Sequence, residues 1–184
     1  TDRPDPDRID SDCDGVDGDR DRSVFVASFG DDGNPGTLAR PKATINAGIA
    51  AAAADDTKQW VLVEGALFDE PVELAAGAHV AGGYNLEWKR PRGAKTVVEG
   101  GNPSVSGSGI EERTMLSELD IRGKTEPERG ETVVSLHLVD SPGVELIDVR
   151  VEGGRGGNGA EGKAGENGTD GASGEDGEDG VEDS

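Results

Sequence analysis

Glycine recurs at every third position from Gly153 to Gly180, ten residues in register without a break. A period of three matches neither a helical stripe nor the alternation of a half-buried strand. It suits an extended polyproline-II-type helix, whose glycine edge can press against a neighbouring backbone. The stretch 153–184 also holds nine acids, two bases and no apolar stripe. It cannot bury enough surface to offset the entropy of ordering a core. Residues 1–22 share that defect, with nine Asp, four Arg and almost nothing apolar. The packed core is therefore expected within 23–152, giving three segments: 1–22, 23–152 and 153–184.

The formal charge is −21. Such a field repels nucleic acid and anionic membranes and draws cations, so no nucleic-acid partner is expected. No apolar run approaches the roughly 20 residues that cross a bilayer, and membrane insertion is not expected either. No leader-like segment stands at Thr1, which leaves a cytosolic protein or a mature or trimmed form of an extracellular or outer-surface one; the acidic, glycine-rich, nearly cysteine-free composition favours the second. Cys13 is the single cysteine; it predicts no internal disulfide, and leaves a free thiol or a bond to another chain.

Residues 10–21 space oxygen ligands as a short calcium loop does. Asp10, Asp12 and Asp14 fall at loop positions one, three and five, and Gly15 stands where the loop must turn sharply. Val16 would offer its carbonyl and Asp21 would close the loop. Calcium is a hard ion that takes six to eight oxygens, and this spacing lets one segment wrap it. The segment resembles dockerin-like and thrombospondin type-3-like loops. It ends in Asp rather than Glu and lacks flanking amphipathic helices, so a full EF-hand is not expected. The alternative is a solvated Asp-rich linker. A loop this thinly supported implies weak affinity, on the order of 10⁻⁴ to 10⁻³ M.

Within 23–152, Ser23–Ser28 alternates as a strand, with Val24 and Val26 opposite Phe25. The spacing then predicts a helix over 41–54: Pro41 in its first turn, Ile45 and Ile49 four apart, and an alanine run after them. Short strand-like runs follow at Trp60–Val63, Pro71–Leu74, His79–Ala81, Thr96–Val98, Leu116–Ile121, Val133–Leu138 and Val144–Val151. They lack the two-residue Asn-Gly turns of tight hairpins. Their aliphatic residues, Leu119, Ile121, Leu136, Leu138, Leu146 and Val149 among them, suit stacking between layers. Three runs per turn give coils of roughly 20–25 residues, with the helix covering an open first edge.

Val24-Phe-Val-Ala-Ser-Phe-Gly30, Pro41-Lys-Ala-Thr-Ile45 and Ala47-Gly-Ile-Ala-Ala-Ala52 resemble the opening of pectate-lyase-like right-handed parallel β-helices. Val61–Leu74, Val80–Tyr84 and Trp88–Arg90 resemble their first coils. The likeness spans about 10–151 and is to large bacterial surface proteins in which an Asp-rich segment precedes the β-helix. It implies an all-β fold: a short right-handed parallel β-helix capped by one helix, between the Asp-rich segment and the Gly-X-Y tail. About four coils fit.

Catalysis is not expected. His79 and His137 stand far apart with no Ser or Cys motif beside them, and read as packing residues. Related lyases, as the resemblance implies, hold calcium on clustered Asp and use an Arg or Lys base. Asp120/Arg122 and Asp148/Arg150 could form such pairs, or plain surface ion pairs worth roughly 0–1 kcal/mol each. Trp60, Tyr84 and Trp88 read as gap-fillers, with a sugar-stacking platform for surface glycans as the alternative. For the tail, three readings stand: a collagen-like triple helix mediating self-association through 153–182, an excursion packed on the body, or an acidic spacer. The function expected is a non-catalytic surface scaffold. A carbohydrate-active β-helix and a filament subunit are the alternatives.

Overall fold

Every named strand of this protein pairs in parallel with a strand distant in sequence. The structure is a computed structural model describing residues 2–159, 161–163, 165, 166, 168–171 and 174. Its elements are β1 (Ser23–Val26), α1 (Ile45–Ala53), β2 (Trp60–Glu64), β3 (Leu67–Glu73), β4 (His79–Tyr84), β5 (Thr96–Ser108), β6 (Thr114–Ser117), β7 (Leu119–Arg122), β8 (Leu136–Val139), β9 (Val144–Ile147) and β10 (Arg150–Glu152). The first sheet runs β1-β2-β4-β6-β9 and the second β3-β5-β7-β10, with β8 on the far half of β5. From β2 onward the chain passes from one sheet to the other and back, so each strand lies beside its counterpart of the preceding circuit.

The register sets the length of each circuit. Trp60 faces His79, Val80 faces Leu116 and Thr114 faces Val144, advances of 19, 36 and 30 residues. Circuits are thus less regular than the expected coil, one of them close to its lower bound and the other two longer, the last because the segment 123–135 is inserted between rungs.

One core fills the space between the sheets. The first sheet contributes Val24, Val26, Val61, Val63, Val80 and Leu116; the second contributes Phe68, Val72, Val98, Val105, Leu119 and Ile121. Each such side chain removed from water is worth about 1.5–3 kcal/mol. The α1 helix lies against β1, β2 and β3 and puts Ile45, Ile49 and Ala52 into the same core. It begins at Ile45, not in the turn of Pro41. Lys42 is still extended there, exchanging backbone hydrogen bonds with Phe25 and Ala27. Thr44 is the N-cap, its side chain accepting the Ala47 N–H at 3.1 Å. Glu70 completes the helix start by accepting the Ile45 N–H at 2.7 Å.

Two runs that read as single strands are each two. Leu116–Ile121 breaks at Glu118 (φ 54°) and Val144–Val151 at Asp148 (φ 52°). One left-handed residue carries the chain from the first sheet to the second, a conformation that L-residues seldom adopt. The β5 strand also extends to Ser108, far beyond Val98, through a Gly-, Asn- and Pro-containing stretch.

Candidate functional site: an acidic arm clamped to the first sheet

The outer face of the first sheet is apolar as well. Phe25, Trp60, Leu62, Ala81, Tyr84, Trp88 and Met115 form a second buried cluster. This explains why Val24–Ala27 and Trp60–Val63 carry apolar side chains on both faces: a parallel strand covered on both faces has no polar side. The cover is the segment 2–22. Val16 is fully buried in that cluster, so the core draws on a segment expected to lie outside it. Its aromatic neighbours interlock, Phe25 edge-on to Trp88 at 4.7 Å. Trp60, Tyr84 and Trp88 are each buried, and the packing role is the one they fill.

Carboxylates fold the arm. Asp10 accepts the N–H groups of Asp14 (3.1 Å) and Gly15 (2.9 Å). Asp14 accepts those of Val16 (2.9 Å) and Arg20 (3.0 Å). Asp19 caps the short 3₁₀ turn Arg20–Arg22. Asp2, itself buried, accepts the N–H of Ser11 at 3.3 Å and of Gly18 at 3.0 Å, tying the start of the arm to its end. Short acidic side chains that accept backbone N–H groups a few residues on, here two to six, are what make such a segment turn.

Carboxylate oxygens of Asp2, Asp10 and Asp12 lie within 4.8 Å of one another. At that separation each pair repels by about 1 kcal/mol in water and by more near a protein surface. A hard cation would relieve the repulsion, and three carboxylates make half of a calcium shell, with carbonyls or water completing it. Of the ligands expected from the spacing, Asp10 and Asp12 are brought together. Asp14 is turned toward Val16 and Arg20, Asp21 sits exposed in the 3₁₀ turn, and neither joins the group. Val16 is held by its side chain in the apolar cluster. Asp2 joins in their place, and no loop spacing points to it, because Pro4 and Pro6 lie between it and the loop. Cys13 is exposed and unbonded.

A buried ionic clamp fastens the arm to the sheet. Arg90 pairs with Asp17 at 2.9 Å and approaches Glu118 at 3.7 Å; Arg8 from the arm also pairs with Glu118. Lys95 reaches Glu118 at 3.3 Å and Asp148 at 2.8 Å. The Tyr84 hydroxyl donates to the Asp17 carbonyl at 2.5 Å, and Lys89 donates to the Gly15 carbonyl. Burial pushes the Asp17 carboxyl up to about 6, against the pull of Arg90. Lys95 holds Asp148 below its ordinary range through their hydrogen bond. Beside the clamp lies a cavity of about 100 Å³, lined by Arg8, Arg90, Ser117 and Glu118. Arg8 Nε, Arg90 Nε and Ser117 Oγ are buried there without protein partners, and the space is large enough for bridging water.

No protein-family model, curated protein or solved structure matches this chain.

The remaining candidates are placed as follows. His79 stacks edge-on to Trp60 at 4.7 Å and accepts the Met115 N–H through Nδ1 at 3.2 Å. Burial, then Arg113 and Arg3, lowers its basicity. His137 is exposed on β8. Asp120 pairs with Arg122 at 2.7 Å, while Arg150 pairs with Glu152 rather than with Asp148. Since Arg150 lies beside Asp120 and Glu152 beside Arg122 in the register, these charges form an outward ladder on the second sheet. The first residues of the tail do not hang free. Gly157 donates to Glu131, and Gly130 donates to Asn158, both at 2.9 Å. A methyl group at Gly154 would strike Val133 and the backbone of Gly123. Gly177, Gly180 and the run 175–179 lie outside the described residues.

No helix among the described residues is long and apolar enough to cross a membrane.

Proposed function

We propose that the alternating parallel sheets are successive coils of a short right-handed parallel β-helix, and that the chain serves as a non-catalytic scaffold module outside the cell. The observation that carries this reading is the rung-over-rung register of two parallel sheets around one core, closed at one end by α1. A body of this kind gets its rigidity from stacking and presents surface along its length. Calcium at Asp2, Asp10 and Asp12 would firm the arm, whose clamp passes that rigidity to β4 and β6. The tail follows β10, with Gly157 and Asn158 hydrogen-bonded to the segment 130–131, and the segment 153–182 would serve self-association. Glycans of a neighbouring surface are the partners that suit such a module. A lyase would need several free carboxylates along a groove. On the second sheet the acids Asp120 and Glu152 are instead bound to Arg122 and Arg150, which favours the scaffold.

The test is a calcium titration by calorimetry, with thermal unfolding followed in parallel by circular dichroism. Binding on the order of 10⁻⁴ to 10⁻³ M is expected, together with a higher melting temperature. Asp2→Asn and Asp10→Asn should each weaken it at least several-fold, and Asp21→Asn should leave it unchanged. Absence of heat and of thermal stabilisation at millimolar calcium would remove the ion from the account. Turnover of a polyuronate by the wild-type chain would replace the scaffold with the enzyme.

A further inference from the structure

The two ends of the stack differ. At the first, α1 seals the core with Ile45, Ile49 and Ala52. At the last, no strand or helix among the described residues lies over the inward side chains. Leu146 occupies in β9 the register position of Leu116, yet it is 44% exposed where Leu116 is 1% exposed. Val151 stands over Ile121, 45% exposed against 0%. Leu136, Leu138, Val144 and Val149 are only partly covered. Among the described residues the edges of β8, β9 and β10 also leave backbone N–H and C=O groups without strand partners, a surface that invites further pairing. The tail is the wrong material to cover it. Its described start runs beside 123–131, and alanine is its one apolar residue type before Val181.

We propose that this end face joins a second copy of the chain, end to end, in a closed two-fold dimer. The proposal rests on the stacked-coil reading above. A two-fold axis across the face reverses strand direction, so the facing edges pair antiparallel. The axis that suits the charges passes through Val151 of β10, because Arg150 then faces Glu152 of the second copy, twice. In the same arrangement β9 faces β8 of the second copy. Leu146 and Val144 then meet Leu136 and Leu138, while Glu145 meets His137. An axis through β9 would instead set Glu145 against Glu145 or Ile147. The contact uses the same patch on both copies, and α1 blocks the opposite end, so association stops at two rather than growing into a fibre.

The experiment is sedimentation equilibrium of the full chain from low to high micromolar concentration, with amide hydrogen exchange on the same samples. The wild type should sediment at twice the chain mass. Leu146→Lys and Val151→Lys should each be monomeric with unchanged circular dichroism. Arg150→Glu should weaken the dimer about tenfold or more, as facing like charges do, and the exchanged pair Arg150→Glu/Glu152→Arg should restore it. A wild-type monomer with protected amides in β2, β4 and β6 overturns the dimer and leaves the coil standing. Loss of that protection overturns both. Protection of Leu146 and Val151 in a monomer overturns the dimer by assigning the cover to the chain itself. A dimer indifferent to both lysine variants overturns it by placing the contact elsewhere, the tail included.

Discussion

Replacing Gly48 with alanine tests whether α1 is a seated cap or a loose lid, because the two answers differ in sign. In a solvated helix the change is favourable by about 1 kcal/mol, since glycine wastes backbone entropy there. Gly48 is buried, however, and a methyl group on it would stand 2.5 Å from Cγ2 of Val26 and 2.7 Å from Cγ1 of Val61. Carbon atoms in good contact sit at about 3.5–4.0 Å. Neither valine can swing aside, because β-branched side chains hold one rotamer and both are fully buried. Overpacking of this kind costs about 1–3 kcal/mol. The net expectation is a loss of about 0–2 kcal/mol, in place of a gain. Urea unfolding of Gly48→Ala, followed by circular dichroism and tryptophan fluorescence, measures it. The exposed control Ala50→Gly should lose about 1 kcal/mol by propensity alone. A Gly48→Ala variant more stable than wild type by the full helical propensity would refute the seated cap.

Leu116→Ala, in the core between the sheets, should cost about 2–5 kcal/mol in urea, whereas Leu67→Ala on the exposed face should stay within about 0.5 kcal/mol. Glu70→Ala orphans the Ile45 and Asn46 N–H groups at the start of α1; a loss of about 1–3 kcal/mol with reduced helical ellipticity is expected, and Glu70→Gln should recover part of it. Asp17 binds its proton more tightly when folded, at about 6 against 3.8. Its contribution therefore favours folding at low pH and fades as pH rises from about 4 to 6, by no more than about 3 kcal/mol. Asp17→Asn should flatten that limb of a stability–pH profile, and an unchanged profile would show that the group is not the one titrating. Arg8→Ala removes one partner of Glu118 and should speed proteolysis within the arm, while cleavage of the body stays unchanged.

The strands were legible where apolar residues sit together. Val24-Phe-Val-Ala and Trp60-Val-Leu-Val announce themselves because both of their faces are covered. The corners were not. Glu118 and Asp148 adopt left-handed conformations that sequence rules reserve for glycine, so each pair of strands read as one. What holds those corners is tertiary, Glu118 by Arg8, Arg90 and Lys95, and Asp148 by Lys95. The far half of β5 hid for the opposite reason: Gly100, Gly101, Asn102 and Pro103 read as a breaker, yet the neighbouring rungs hold the chain extended. At the candidate site, Asp10 and Asp12 were visible in a spacing pattern. Asp2 was not, because its place depends on the arm folding back so that Gly18 meets it. Val16 is a lone apolar residue among acids, and only the aromatic face beneath it gives it a role.

The parallel register is the claim on which the rest depends, and interstrand contacts in solution measure it directly. In nuclear Overhauser spectra of a labelled sample, the backbone around Val61 should contact that around Val80. Val80 should in turn contact Leu116, and Leu116 should contact Leu146, all with the pattern of parallel pairing. Antiparallel contacts among β2, β4 and β6, or contacts joining neighbours in sequence as hairpins do, would contradict the stacked body and every function argued from it.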